Sequence, residues 1–165
     1  MRHDVNRTVD GLPDAGLSVR DALSRHYERH GLPADGGESS AWFRVKLGGV
    51  SIPVPNPPAR RRAVIYHDIN HIITGYNTRF SEGEMEVAGF EIGAGCGPYL
   101  IAWFINAYMM ALGILVRPRA VLRAFSRGRA SRSIYVLPRS RAELLAMSVG
   151  SLREELNIGP DVFER

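Results

Sequence analysis

His67, Asp68 and His71 are the residues of this chain best able to do chemistry together. They stand at i, i+1 and i+4 in HDINH, inside a stretch that reads as helix. At about 100° per residue their side chains leave the axis at roughly 0°, 100° and 40°, so all three share one side. Two imidazoles one turn apart grip a single ion, as in zinc proteases of the HExxH pattern. Aspartate in the second position removes that protease's general base. The shorter carboxylate reads instead as a ligand, or as the group that orients a histidine ligand. Two histidines with carboxylates suit a divalent metal, zinc first, with iron and manganese as alternatives.

A fourth donor has to come from the next element. Two helices joined by a short loop pack antiparallel, and Glu84 at the start of the second returns to the histidine face. Glu82 and Glu86 compete for that place, and Glu91 lies seven residues beyond Glu84 on the same face. Glu84 has a rival role as well, because Ser81-Glu82-Gly83-Glu84 has the form of a capping box. A second i, i+4 pair, His26 and His30 in HYERH, sits on a polar helix with no carboxylate-bearing partner element, and reads as solvent-exposed.

The elements that must position these groups follow from the pattern. Residues 1–16 read as a loose arm. Ser18 opens a helix closed by Gly31 and Pro33. The alternating runs WFRVKL and VSIPVP, around Gly48-Gly49, predict a β-hairpin over Trp42–Pro55, with Pro53 and Pro55 keeping its second strand short or at an edge. Pro57-Pro58 opens the metal-bearing helix, Ala59 to Thr74, which stops at Gly75. Glu82 to Ile92 forms the next helix. Tyr99 to Val116 is nearly all apolar, Arg119 to Arg127 is an arginine-rich helix, and SIYVLP is short and extended. A last helix begins at Ser140 with Glu143 as capping-box partner, and Leu145, Val149, Leu152 and Leu156 mark its core face. The fold class is mainly α, a single-domain helical bundle (residues 17–165) with one small hairpin.

At this point the residues carry a resemblance. HDINHIITGYNTRFSEGE resembles the metal motif of the coenzyme Q (ubiquinone) biosynthesis family founded by the fourth yeast Coq protein, which has HDxxH, an eleven-residue gap, then Glu. SVGSLREELNI resembles that family's closing helix. The likeness runs from Pro57 to Ile158. The gap from His71 to Glu84 holds twelve residues here, with the extra one in the TRFSEG turn, so Glu82 and Glu86 stay in play. The resemblance implies an all-α, zinc-binding protein that works at a membrane on polyprenylated quinone precursors. Such a protein either organises the biosynthetic complex or acts in an oxidative decarboxylation at ring carbon one. It makes His67, Asp68, His71 and Glu84 the metal ligands, and the partners a prenylated quinone precursor or isoprenoid lipid, with a homo-oligomer or quinone-biosynthesis complex as the assembly.

Composition bounds this reading. One cysteine, Cys96, in 165 residues permits no internal disulfide and fits a reducing compartment. The first residues lack the apolar core of a secretory signal. The expected location is cytoplasmic, peripheral to the inner face of the cell membrane. Net charge is +4, but its distribution says more. From Ile92 to Ala142 there is no acidic residue, while Arg117, Arg119, Arg123, Arg127, Arg129, Arg132, Arg139 and Arg141 all fall there. Such a stretch suits an anionic partner, namely phospholipid headgroups of an anionic membrane surface, a pyrophosphate or nucleic acid. Nucleic acid is disfavoured, because no reading motif or interleaved exposed aromatics accompany the arginines. The segment Tyr99–Val116 admits three readings: a buried central helix, a transmembrane span, or the wall of a prenyl channel with Met109 and Met110 as adaptable filler. The buried helix is the one expected. A metal-dependent phosphohydrolase of the HD kind is the competing enzyme. It lacks a downstream aspartate, Asp161 being the one candidate at the far end.

Overall fold

The computed structural model describes residues 15–47 and 50–159. The chain is mainly helical. Helix α1 (Val19–His30) is followed by strands β1 (Trp42–Leu47) and β2 (Val50–Pro55). Then come α2 (Pro58–Thr74), α3 (Gly83–Ala94), α4 (Leu100–Val116), α5 (Pro118–Arg129), α6 (Arg141–Ala146) and α7 (Val149–Glu155). The strands pair antiparallel, Trp42 opposite Pro55 and Leu47 opposite Val50, as the hairpin pattern requires. The Gly48-Gly49 turn lies outside the described residues, as does the arm up to residue 14. Ala15, at the arm's end, accepts a backbone hydrogen bond from Gly150.

Helix α2 is the centre of the bundle and packs against α1, α3, α4 and α7. Every residue from Asp68 to Thr74 is buried. Ile69 and Ile73 meet a core that includes Val19, Leu23, Phe90, Leu144, Leu152 and Leu156. Its start needs no side-chain cap, since proline there has no N–H to satisfy. It ends at Gly75, whose φ of 81° is left-handed and whose N–H donates to the His71 carbonyl. Helices α3 and α5 come into backbone contact. A Cβ on Gly93 would strike the Phe125 carbonyl and one on Gly128 the Phe90 carbonyl, so only glycine permits this approach.

Four expectations are corrected. Tyr99–Val116 is not a buried central helix. Of α4 only Ala102, Asn106 and Gly113 are buried, while Leu100, Phe104, Tyr108, Leu115 and Val116 face outward. It is not a span either: no helix among the described residues is long and apolar enough to cross a membrane. SIYVLP is not extended. Ile134–Val136 form a 3₁₀ turn capped by the Ser133 hydroxyl, which accepts from Tyr135 N–H. Ile134 and Tyr135 are adjacent and both buried; a strand would send them to opposite faces. The last helix is two. Met147 is extended, and Ser148 caps a new start at α7. The break lets Val19 N–H reach the Met147 carbonyl and Val149 N–H the Leu17 carbonyl. It also resets the helical phase, so Leu144 takes the buried place expected of Leu145.

Candidate metal centre

Helix α2 presents two imidazoles to α3, and α3 returns one carboxylate. His67 Nε2 and His71 Nε2 lie 3.2 Å apart. Glu84 Oε2 is 3.4 Å from His67 Nε2, and Glu84 Oε1 is 3.4 Å from His71 Nε2. Donor atoms about 2.0–2.1 Å from a zinc ion at tetrahedral angles stand roughly 3.3 Å from one another. The two imidazole nitrogens hold that spacing, each Glu84 oxygen meets it toward one histidine, and with one donor atom per residue the set lies within 4.8 Å.

The far nitrogens fix the tautomers. His71 Nδ1–H donates to the Tyr76 carbonyl at 2.9 Å, and His67 Nδ1–H donates to Glu91 Oε1 at 3.1 Å. With Nδ1 donating, both Nε2 atoms face the shared space. Without an ion His67 Nε2 carries a proton lying between His71 Nε2 and Glu84, and a metal ion would take that proton's place. The donor set fits a divalent metal on these grounds.

Beneath His67 lies a second layer. Glu91 is fully buried, and its carboxylate accepts from Asn70 Nδ2 at 2.7 Å and Tyr135 Oη at 3.0 Å, with Asn106 Nδ2 a further donor. Burial by itself would raise the Glu91 pKa; the charge and hydrogen bond of His67, with the Asn70 and Tyr135 bonds, outweigh it and lower it. His67 shows the converse. Burial would lower its pKa, but the Glu91 charge and the bonds to Glu84 and Glu91 hold it well above the ordinary value of 6.5. Glu84 lies well below the usual carboxylate range, because bonds to His67 and His71 overcome its own burial. A carboxylate–histidine–metal relay has this form: Glu91 orients His67 and raises its basicity.

Of the four expected ligands, three converge. Asp68 does not join them. The 100° between it and His67 turns it toward α1, where its carboxylate accepts from Tyr27 Oη at 2.9 Å, under Gly36. The rival carboxylates are accounted for. Glu82 accepts from Asn77 Nδ2 and meets Arg79, and Glu86 pairs with Arg117. The longer gap is absorbed by a loop wound on Asn77, whose side-chain oxygen accepts from the N–H groups of Arg79 and Gly83. Gly83 packs so tightly on the Asn77 backbone that no Cβ fits. Ser81 makes no capping box. Glu82 is the N-cap and lends no side-chain bond, which leaves the Glu84 carboxylate to the histidines.

His26 departs from the expectation for its polar helix. It is half-buried rather than solvent-exposed. Its ring lies 6.0 Å from that of His71 at 27°, near parallel. Burial, and then the neighbouring His71 and His30, push its pKa down to about 4. The i, i+4 spacing of His26 and His30 was the available signal. That spacing does not show which element lies across from the pair, and the neighbouring donors come from α2 and α3.

No family model, curated protein or solved structure matches this chain. The resemblance to the coenzyme Q biosynthesis family therefore rests on the HDxxH…Glu and LREELNI residues themselves.

Proposed function

We propose that this chain is a membrane-peripheral metal-binding protein of prenylquinone biosynthesis. It would hold one divalent ion, zinc in the first instance, through His67, His71 and Glu84. The observation that carries the reading is the convergence of two Nδ1-protonated histidines and one carboxylate at 3.2–3.4 Å. Three protein ligands leave room for another group on the ion. His67 and Glu84 keep 25% and 28% of their side chains exposed, so a small oxygen ligand has access. The ion supplies Lewis acidity toward a ring carboxylate or hydroxyl. The residues around it orient His67, seclude its inner side and keep Glu84 ionised.

Helix α4 supports the membrane part. Phe104 and Leu115 are 73% and 81% exposed on an uncharged helix. Exposed arginines of and beyond α5, namely Arg119, Arg123, Arg129 and Arg132, follow in the chain. Apolar surface beside basic residues suits an anionic bilayer surface. The eight-arginine stretch is not wholly available for this. Arg117 pairs with Glu86, Arg139 with Glu155 and Arg141 with Glu38, while Arg127 donates to the Thr74 and Gly159 carbonyls.

Elemental analysis of the purified protein tests the centre. Wild type is expected to carry about one zinc per chain, and His71→Ala and Glu84→Ala to lose it. Wild-type protein without stoichiometric metal would sink the reading. Mass spectrometry of an organic extract, made under mild purification, is expected to show a co-purifying prenyl compound.

A further inference from the structure

We propose that His26 Nε2 is a fourth protein ligand of the ion held by His67, His71 and Glu84. This rests on the metal reading above and adds to it a residue from α1.

Three observations point the same way. First, His26 Nε2 is shielded from solvent and has no hydrogen-bond partner among the described residues. An orphaned buried nitrogen costs about 1–3 kcal/mol, so its retention calls for a partner from outside the chain. Second, the ring is placed for it. Two imidazoles on one tetrahedral ion have ring centres about 5 Å apart. His67 and His71 stand at 4.8 Å. His26 and His71 stand at 6.0 Å with near-parallel rings, and His26 lies outside the three-residue donor cluster, so it borders the site and would have to turn inward to reach the ion. Third, α1 is pinned in this position by the residue next to His26. Tyr27 donates its hydroxyl to Asp68. The aspartate of HDxxH, absent from the donor cluster, thus serves to hold α1 against α2, and His26 comes to lie over His71.

His30 does not share this role. Its ring is 4.7 Å from that of His26, but its Nδ1 lies 3.0 Å from the Thr78 hydroxyl and its side chain is exposed. It serves as the control. With His26 bound, the ion joins α1, α2 and α3.

X-ray absorption of the zinc-loaded wild-type protein counts imidazoles directly and needs no variant. Three are expected. Two, in a protein with stoichiometric zinc, would overturn the His26 assignment and leave the triad standing; no stoichiometric zinc would fail the triad itself. Zinc affinity by competition with a chromophoric chelator gives the second readout. His26→Ala is expected to lose more than about 100-fold, beyond what removal of an outer-shell partner costs, and His30→Ala to stay near wild type. Urea unfolding of the metal-free variants shows whether His26→Ala folds as wild type does. A folded His26→Ala with unchanged affinity also overturns the proposal.

Discussion

Helices α2 and α4 are both 17 residues long, and their polarity and burial are inverted. Helix α2 carries three arginines, two histidines, an aspartate and an asparagine, yet its last seven residues, Asp68 to Thr74, are all buried. Helix α4 carries no charge, yet buries only Ala102, Asn106 and Gly113. The difference lies in partners. The buried polar groups of its last turns meet complements: Asp68 meets Tyr27, Asn70 meets Glu91, and His71 meets the Tyr76 carbonyl and Glu84. The outward side chains of α4 meet no such set. A helix that keeps costly groups inside and one that keeps apolar groups outside both depart from the ordinary distribution. In each case the departure marks a place where something outside the chain is expected to bind.

The largest break in this contrast should come from Glu91. Glu91→Ala strips the acceptor from Asn70, Asn106, Tyr135 and His67 at once. It is expected to cost about 3–5 kcal/mol in urea unfolding, as for other broken buried charge pairs. Next are matched truncations on the two helices. Ile73→Ala in α2 should cost about 2–5 kcal/mol, whereas Leu115→Ser in α4 should stay within about 0.5 kcal/mol of wild type. A large loss at Leu115 would mean that α4 is core after all. Co-sedimentation with vesicles containing anionic phospholipid reverses the ranking. Phe104→Ser with Leu115→Ser should abolish most binding, while Ile73→Ala, if folded, keeps it. Asp68→Ala comes third, at about 1–3 kcal/mol for the unpartnered Tyr27 hydroxyl; stoichiometric zinc should remain, because Asp68 is not in the donor cluster.

The smallest effect is a pH dependence. Metal binding must displace the proton that Glu91 and Glu84 favour on His67. Because that pKa is raised, competition begins at a higher pH than for a free histidine. Below it, zinc affinity should fall about tenfold per pH unit as pH drops. Calorimetric titrations between pH 8 and 6 would register this, and a pH-independent affinity would show that His67 is not a ligand.

Local signals were legible where a short stretch fixes its own backbone. Ser18 and Gly31 bound α1, Pro58 and Gly75 bound α2, Ser140 and Glu143 form the capping box, and Arg119 to Arg127 lie inside α5. The hairpin's alternation was equally readable. The site was legible in part. One helical turn brings His67 and His71 together whatever surrounds them, and an antiparallel return brings Glu84. Asp68, Glu91 and His26 were not so readable, since each depends on which neighbour lies across from it. The Tyr27 hydroxyl, the Asn70–Asn106–Tyr135 donors and the His71 ring come from up to 45 positions away in the chain.

The sequence by itself determined the helical spacing of the histidines, the caps and the apolar character of Leu100–Val116, because each is a property of a few consecutive residues. Tertiary structure alone decided that the polar helix would be central and the apolar one peripheral. Burial depends on the whole set of partners: α2 is enclosed by four helices and finds its polar partners in α1, α3 and the Tyr76 carbonyl, while no described element covers the outer face of α4. It also decided which carboxylate faces the histidines, because only the fold of the Asn77 loop turns Glu84, rather than Glu82 or Glu86, toward them.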